Sequence, residues 1–152
     1  MTEKQKVLAI ILTIFVALIL LGGAIFTIAM SIAGWDFSVL NTVRYEQHSH
    51  TETQTITRLD FDFDTEDIDV YFDETATEVR VEYPEKFTKK GDRLTKISIT
   101  EENDTLKIVQ TREKPFFFEW NIGKVPHVRV YLPAERTYAI DFNTDTGNVS
   151  FH

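Results

Sequence analysis

A twelve-residue phrase occurs twice and limits the possible folds of this chain more than any other feature. Leu59–Val70 reads L-D-F-D-F-D-T-E-D-I-D-V, and Ile140–Phe151 reads I-D-F-N-T-D-T-G-N-V-S-F. Aligned without a gap, Asp60/Asp141, Phe61/Phe142, Asp64/Asp145 and Thr65/Thr146 are identical. Leu59/Ile140, Asp62/Asn143, Asp67/Asn148 and Ile68/Val149 are near-equivalents. A short phrase recurring in this way marks a repeat architecture. In each copy apolar residues alternate, a polar Asp-Thr-(Glu/Gly)-(Asp/Asn) step intervenes, and alternation resumes. The expected unit is a strand, a tight turn at Asp64-Thr65 or Asp145-Thr146-Gly147, and a second strand, each strand burying one face.

The same period-two alternation runs through residues 55–152, so this segment is expected to be an all-β domain of about eight to ten short strands. Phe61, Phe63, Ile68, Val70, Phe72, Val79, Val81, Val128, Val130, Phe142 and Val149 fall on the inward side, and Asp60, Asp62, Asp69 and Asp141 on the outward side. Pro84 is expected to end the strand that begins at Glu78. Thr95–Thr100 and Thr105–Gln110 flank Glu101-Glu102-Asn103-Asp104 as a hairpin. A second copy ending at Phe151 exposes Val149 and Phe151 on an open edge, so the domain is expected to be incomplete at its C-terminus.

The N-terminus has a different character. Val7–Trp35 holds no charged residue, and Val7–Ala33 is almost wholly apolar on every face. At ~1.5 Å per residue such a helix rises about 40 Å, against a hydrocarbon core of roughly 30 Å. Secretory apolar regions run about 7–15 residues, so a retained transmembrane anchor is favoured over a signal peptide cleaved near Ser31-Ile32-Ala33. Lys4 and Lys6 precede the span, and Arg44 alone is basic in the fifteen residues that follow Trp35. The positive-inside rule then puts the N-terminus in the cytoplasm and the rest outside, with Lys4, Lys6 and Trp35 at the membrane interfaces. The domain plan is a cytoplasmic tip and transmembrane helix at 1–35, a polar juxtamembrane stalk at 36–54, and an extracytoplasmic β domain at 55–152.

Net charge is −8 over 152 residues. Residues 1–33 carry Lys4, Lys6 and Glu3, so the remainder holds −9. Phosphate binding needs clustered Lys and Arg, which argues against nucleic acid as a partner. Without cysteine there are no disulfides and no thiolate chemistry. Leu59–Glu85 holds eleven acids and the single base Arg80, whereas Lys86–Lys96 holds five bases and one acid. Such blocks read as solvated faces that also discourage edge pairing.

Metal and catalytic templates are incomplete. Asp60–Thr65 begins like an EF-hand loop, but Gly is missing at the sixth position and Tyr71 stands where the twelfth-position Glu belongs. His48-Ser49-His50 supplies two imidazoles without a third ligand and reads as solvated linker. Asp145-Thr146-Gly147 spells the aspartic-protease triplet, yet the first copy breaks the required pair with Glu66. There is no nucleophile elbow, phosphate-binding loop or zinc motif. No cofactor is expected, and the chain is not expected to be an enzyme. The densest aromatic run is Phe116-Phe117-Phe118-Glu119-Trp120. Core packing is expected for Phe116, Phe118 and Trp120, while an exposed platform at Phe117 and Trp120 is the partner-binding alternative.

The repeated phrase, Val79–Tyr83 (V-R-V-E-Y) and Val128–Pro133 (V-R-V-Y-L-P) resemble a bacterial adhesin-like family of unknown function. That resemblance covers residues 36–152, including Phe37-Ser38, Leu40, Thr42 and Tyr45-Glu46. It implies a right-handed single-stranded β-helix, a solenoid of such rungs, behind one N-terminal membrane helix. Some similar proteins are encoded with envelope-stress systems. Where the rung turn of that family has Gly, this chain carries Glu66, and a required positive φ there would disfavour Glu. The implied function is a membrane-anchored binding or scaffolding module at the cell envelope, with the lipid bilayer and an envelope protein or polysaccharide as partners. The alternatives are a regulatory or sensory accessory subunit of an envelope-stress response and, third, an envelope hydrolase.

Overall fold

The computed structural model describes residues 2–114 and 118–152, which form two units, residues 1–40 and 41–152. In the first unit, α1 spans Glu3–Ile32. Thr2 caps it by a reciprocal pair: the Gln5 N–H donates to the Thr2 hydroxyl, and the Thr2 N–H donates to the Gln5 side chain at 2.8 Å. This arrangement satisfies two N–H groups that the first turn leaves without intrahelical partners. Within the apolar span, the Thr13 and Thr27 hydroxyls donate to the carbonyls of Ala9 and Gly23, each at 2.8 Å, so neither is left unpaired on an apolar helix. The helix ends where Gly34 turns left-handed (φ +63°) and the Trp35 N–H reaches back to the Met30 carbonyl at 2.8 Å. A short 3₁₀ turn, Phe37–Leu40, follows.

Among the described residues, the second unit has nine strands: β1 (Val43–Thr51), β2 (Arg58–Phe63), β3 (Ile68–Asp73), β4 (Arg80–Thr88), β5 (Thr95–Glu102), β6 (Thr105–Arg112), β7 (Val128–Pro133), β8 (Ala139–Thr144) and β9 (Val149–Phe151). They make a five-stranded sheet ordered β1-β4-β7-β3-β9 and a four-stranded sheet ordered β5-β6-β2-β8. The two copies of the phrase are β2-turn-β3 and β8-turn-β9, and they are direct neighbours. β2 pairs with β8 in parallel with Phe61 opposite Phe142, and β3 pairs with β9 with Ile68 opposite Val149. β6 and β7 complete a third layer on the other side, setting Ile108 against Phe61 and Val128 against Ile68. Three strand pairs therefore stack in register, one strand of each pair in either sheet. Antiparallel strands extend both sheets beyond that third layer: β5 on β6, β4 on β7, and β1 on β4. This β-solenoid-like stack is all-β, as its alternation indicated.

The core lies between the two sheets. Phe61, Leu59, Val70, Val79, Val81, Leu106, Ile108, Val128, Val130 and Leu132 are wholly buried, joined by Phe63, Ile68 and Ile97. Phe61 stacks on Phe142 with ring centroids 4.8 Å apart. At ~25 cal/mol per Å² of apolar area, a buried side chain of this size contributes roughly 2–3 kcal/mol. Phe142 and Val149, expected to be buried, are only half-buried because β8 and β9 are edge strands of their sheets. Among the outward aspartates, Asp62 and Asp141 are exposed, and Asp60 and Asp69 are half-buried between their row neighbours.

Three expectations need correction. Residues 36–54 are not a spacer: Val43–Thr51 is β1, paired with β4 along nine positions, so the β unit begins at residue 41. Pro84 does not end a strand but sits inside β4 opposite Gln47. It is tolerated because β7 covers only Arg80–Glu82 on the other side, where the missing N–H would have mattered. Phe72 is 47% exposed rather than inward, since β9 ends opposite Val70.

Candidate partner-binding surfaces

The turns joining the two sheets are built from side chains of neighbouring layers. The Thr146 N–H donates to the Asp64 carbonyl at 3.1 Å, and its hydroxyl donates to the same oxygen at 3.1 Å. Asn148 donates its backbone and side-chain N–H groups to Asp67 Oδ1 at 2.9 and 3.2 Å. Asn143 Nδ2 donates to Asp62 Oδ1 at 3.0 Å. Changing Asp62 and Asp67 to Asn in the second copy thus turns facing carboxylates into amide–carboxylate hydrogen bonds. Buried Gln110 holds the first turn, accepting from the Asp64 and Thr65 N–H groups at 3.1 and 3.5 Å. These N–H acceptors, not the carboxylates of Asp64 and Asp145, shape the turns.

Gly147 has a reason different from the expected positive φ. Its backbone is not left-handed, but a Cβ there would lie 2.1 Å from the Glu66 carbonyl oxygen and 2.8 Å from Thr144 Oγ1. Glu66 is therefore unstrained at the equivalent position. Its carboxylate is buried and accepts from Gln110 Nε2 at 2.9 Å. Burial pushes its pKa up; Lys86 and the Gln110 hydrogen bond oppose this, while Glu119 and Asp67 add to it. Lys86 pairs with Glu119 at 2.8 Å, and burial, with Glu66 and Glu119, raises the Tyr45 hydroxyl to about 12.

The outward face of the five-stranded sheet carries an aromatic row. Tyr131 and Tyr71 stack at 5.3 Å, Tyr71 and His152 at 4.8 Å, and the Arg80 guanidinium lies over the Tyr131 ring at 4.5 Å. Beside it, Glu82, Arg129 and Asp69 form a charged row in which Asp69 also meets His127 Nδ1 at 2.9 Å and His152 at 3.7 Å. The signal was present in sequence: Ile68-Asp69-Val70-Tyr71, Val128-Arg129-Val130-Tyr131 and Val149-Ser150-Phe151-His152 align as three layers. Among the described residues, no cluster of His, Asp or Glu is arranged to hold a metal. The stalk histidines lie on β1, with His50 bonded to Glu101 at 2.7 Å and His48 stacked on Tyr83 at 5.6 Å.

Trp120 is 49% exposed and Phe118 68% exposed, stacked on each other at 6.4 Å, so the core reading fails for both. Phe116 and Phe117 lie outside the described residues. Backbone bonding fixes the segment: Thr42 N–H donates to the Trp120 carbonyl at 2.8 Å, Trp120 N–H to the Thr42 hydroxyl at 2.8 Å, and Ile122 N–H to Asn41 Oδ1 at 2.6 Å. At the chain start, Lys6 pairs with Glu3 at 2.9 Å, Lys4 is exposed, and Trp35 is exposed with its ring 6.5 Å from Phe37. Among the described residues, one helix, α1, is long and apolar enough to cross a membrane.

Compared with known proteins, residues 56–152 match the family described as Toastrack DUF4097. No curated protein and no solved structure matches the chain.

Proposed function

Because the chain belongs to the Toastrack DUF4097 family, whose domain here is preceded by an apolar helix of membrane-spanning length, we propose that it is a membrane-anchored, extracytoplasmic binding or scaffolding module of the bacterial cell envelope. In this reading α1 is retained in the bilayer with Lys4 and Lys6 on the cytoplasmic side, and the β unit winds as a right-handed solenoid outside. The module is adhesin-like and non-catalytic.

One observation carries the binding role: the outward rows repeat the same chemistry at strand spacing. Arg80, Tyr131, Tyr71 and His152 form one row, and Glu82, Arg129 and Asp69 the next. Tyrosine hydroxyls beside alternating charges suit a polar, repeating ligand such as an envelope polysaccharide, which hydrogen-bonds to phenol, carboxylate and guanidinium groups. The inward carboxylates are engaged in structural bonds, as Glu52 is by Arg136 at 2.6 Å and by the Ile56 N–H at 3.1 Å, which supports the non-catalytic reading.

The test is co-sedimentation of the full chain, held in lipid nanodiscs, with purified cell-wall polysaccharide. Binding that is lost in Tyr71→Ser/Tyr131→Ser with an unchanged β-sheet circular dichroism spectrum is expected. Undiminished binding of the double variant overturns the assignment of this face. A reporter fused after His152 is expected to be active only outside the cytoplasm, and activity inside overturns the localisation.

A further inference from the structure

The segment 118–125 places four large apolar side chains in solvent: Phe118, Trp120, Ile122 and Val125. Such a patch on a small acidic domain is unusual without a partner. Its position within the β unit is held by the chain entry. Thr42 accepts and donates to Trp120 on one side, and on the other its carbonyl accepts the Lys89 N–H at 3.3 Å. Thr42 therefore bridges Trp120 on one side and Lys89 on the other. Lys89 and Lys90 are exposed within the one basic block, Lys86–Lys96, of an otherwise acidic domain. Lys124 adds a further exposed base inside the apolar segment itself. Only residues 33–40 separate Ile32, the end of α1, from Asn41, a tether of roughly 30 Å at full extension.

We propose that residues 118–125, with Lys89 and Lys90, form a membrane-contact surface. Phe118, Trp120, Ile122 and Val125 enter the boundary between headgroups and acyl chains, and the lysines engage anionic lipid headgroups. The inference rests on the membrane-anchor reading of α1. Three observations select a bilayer as the occupant. The patch is aromatic and apolar with an amphipathic Trp, the composition that sits at a membrane interface. Its exposed bases are Lys89, Lys90 and Lys124, and its Glu119 is paired with Lys86 at 2.8 Å, while the β unit as a whole is acidic, so an anionic surface attracts this side and repels the rest. The patch is bonded to the residues that enter the domain directly from the anchor, which keeps it within reach of the same bilayer.

The chain has two tryptophans, Trp35 and Trp120, and each can be made the sole reporter. Full-length Trp35→Phe and Trp120→Phe are reconstituted into vesicles whose lipids carry brominated acyl chains, which quench tryptophan on contact. Loss of Trp120 emission in Trp35→Phe is expected, larger in phosphatidylglycerol-containing vesicles than in phosphatidylcholine alone. Lys89→Glu/Lys90→Glu is expected to abolish that difference. Quenching of Trp35 with Trp120 emission intact retains the anchor and overturns the contact surface, leaving the patch for a sugar or protein partner. Quenching of neither overturns the anchor reading and the contact surface together. Trp120 quenching indifferent to lipid charge and to the lysine changes overturns the headgroup assignment.

Discussion

Gly147→Ala is the sharpest test of how the layers meet. Nothing about the backbone forbids alanine, since Gly147 is not left-handed. The obstacle is the neighbouring layer: the new methyl would stand 2.1 Å from the Glu66 carbonyl oxygen, a backbone atom that cannot rotate away. Relief requires the β8–β9 turn to lift off the β2–β3 turn. That movement endangers the Thr146–Asp64 and Asn148–Asp67 bonds and the Ile68 N–H to Asn148 carbonyl bond of 2.9 Å. At about 1 kcal/mol for each of two or three hydrogen bonds, plus overpacking strain of similar size, the expected cost is about 2–4 kcal/mol. Against a total of about 5–15 kcal/mol for a domain, this is a large fraction. Gly91→Ala is the control: it is left-handed at φ +100° but has open space around it. There the cost is strain alone, roughly 1–2 kcal/mol. Urea unfolding of the full chain in micelles, followed by far-ultraviolet circular dichroism, compares the two. A Gly147→Ala midpoint equal to the parent, or higher than that of Gly91→Ala, would refute the reasoning.

Phe61→Ala removes a wholly buried ring stacked on Phe142 and is expected to cost ~3–5 kcal/mol, read as a lowered unfolding midpoint; an unchanged midpoint contradicts its place in the core. Glu66 has a raised folded pKa, so the fold prefers its protonated form, and this contribution is lost as pH rises from the ordinary glutamate range through the raised value. Glu66→Gln is therefore expected to gain stability relative to the parent as pH rises through that window, and a pH-independent difference would count against it. Glu101 behaves oppositely: burial opposes its ionisation, but hydrogen bonds from His50 and from the Thr53 side chain and backbone hold its pKa below the usual value. Its contribution is present above the ordinary glutamate range and lost as pH falls through the lowered value, so Glu101→Gln is expected to differ from the parent at neutral pH and to converge with it in acid.

The fold was legible where alternation and recurrence coincide. Phe61, Ile68, Val70, Val128 and Val130 are buried as their period required, and the two phrases meet residue for residue. What local pattern could not show is which strand lies beside which. β1 reads as polar linker because one of its faces is solvated and its pairing partner, β4, lies far along the chain, Thr51 meeting Arg80 and Val43 meeting Thr88. Pro84 reads as a terminator because sequence does not reveal that β7 leaves that side of β4 uncovered. Glu66 and Gly147 looked mismatched because a turn glycine usually signals positive φ, whereas here it signals a carbonyl from the next layer. Of the candidate surface, Trp120 was named as a partner-binding residue, but the Tyr71–Tyr131 row emerges only when three layers are aligned rather than two.

In-register stacking of the two phrases underlies the whole architecture, and the absence of native cysteine makes it directly measurable. Asp62 faces Asn143 across parallel neighbours. Adjacent strands lie ~4.8 Å apart, within the Cα range a disulfide bridges, whereas a two-residue offset along the strand lengthens the separation to about 8 Å. Asp62→Cys/Asn143→Cys is expected to form an intrachain bond on mild oxidation of the dilute protein, and Asp62→Cys/Asp141→Cys to remain reduced. Cross-linking of the offset pair, with the in-register pair staying reduced, would contradict the stacked arrangement.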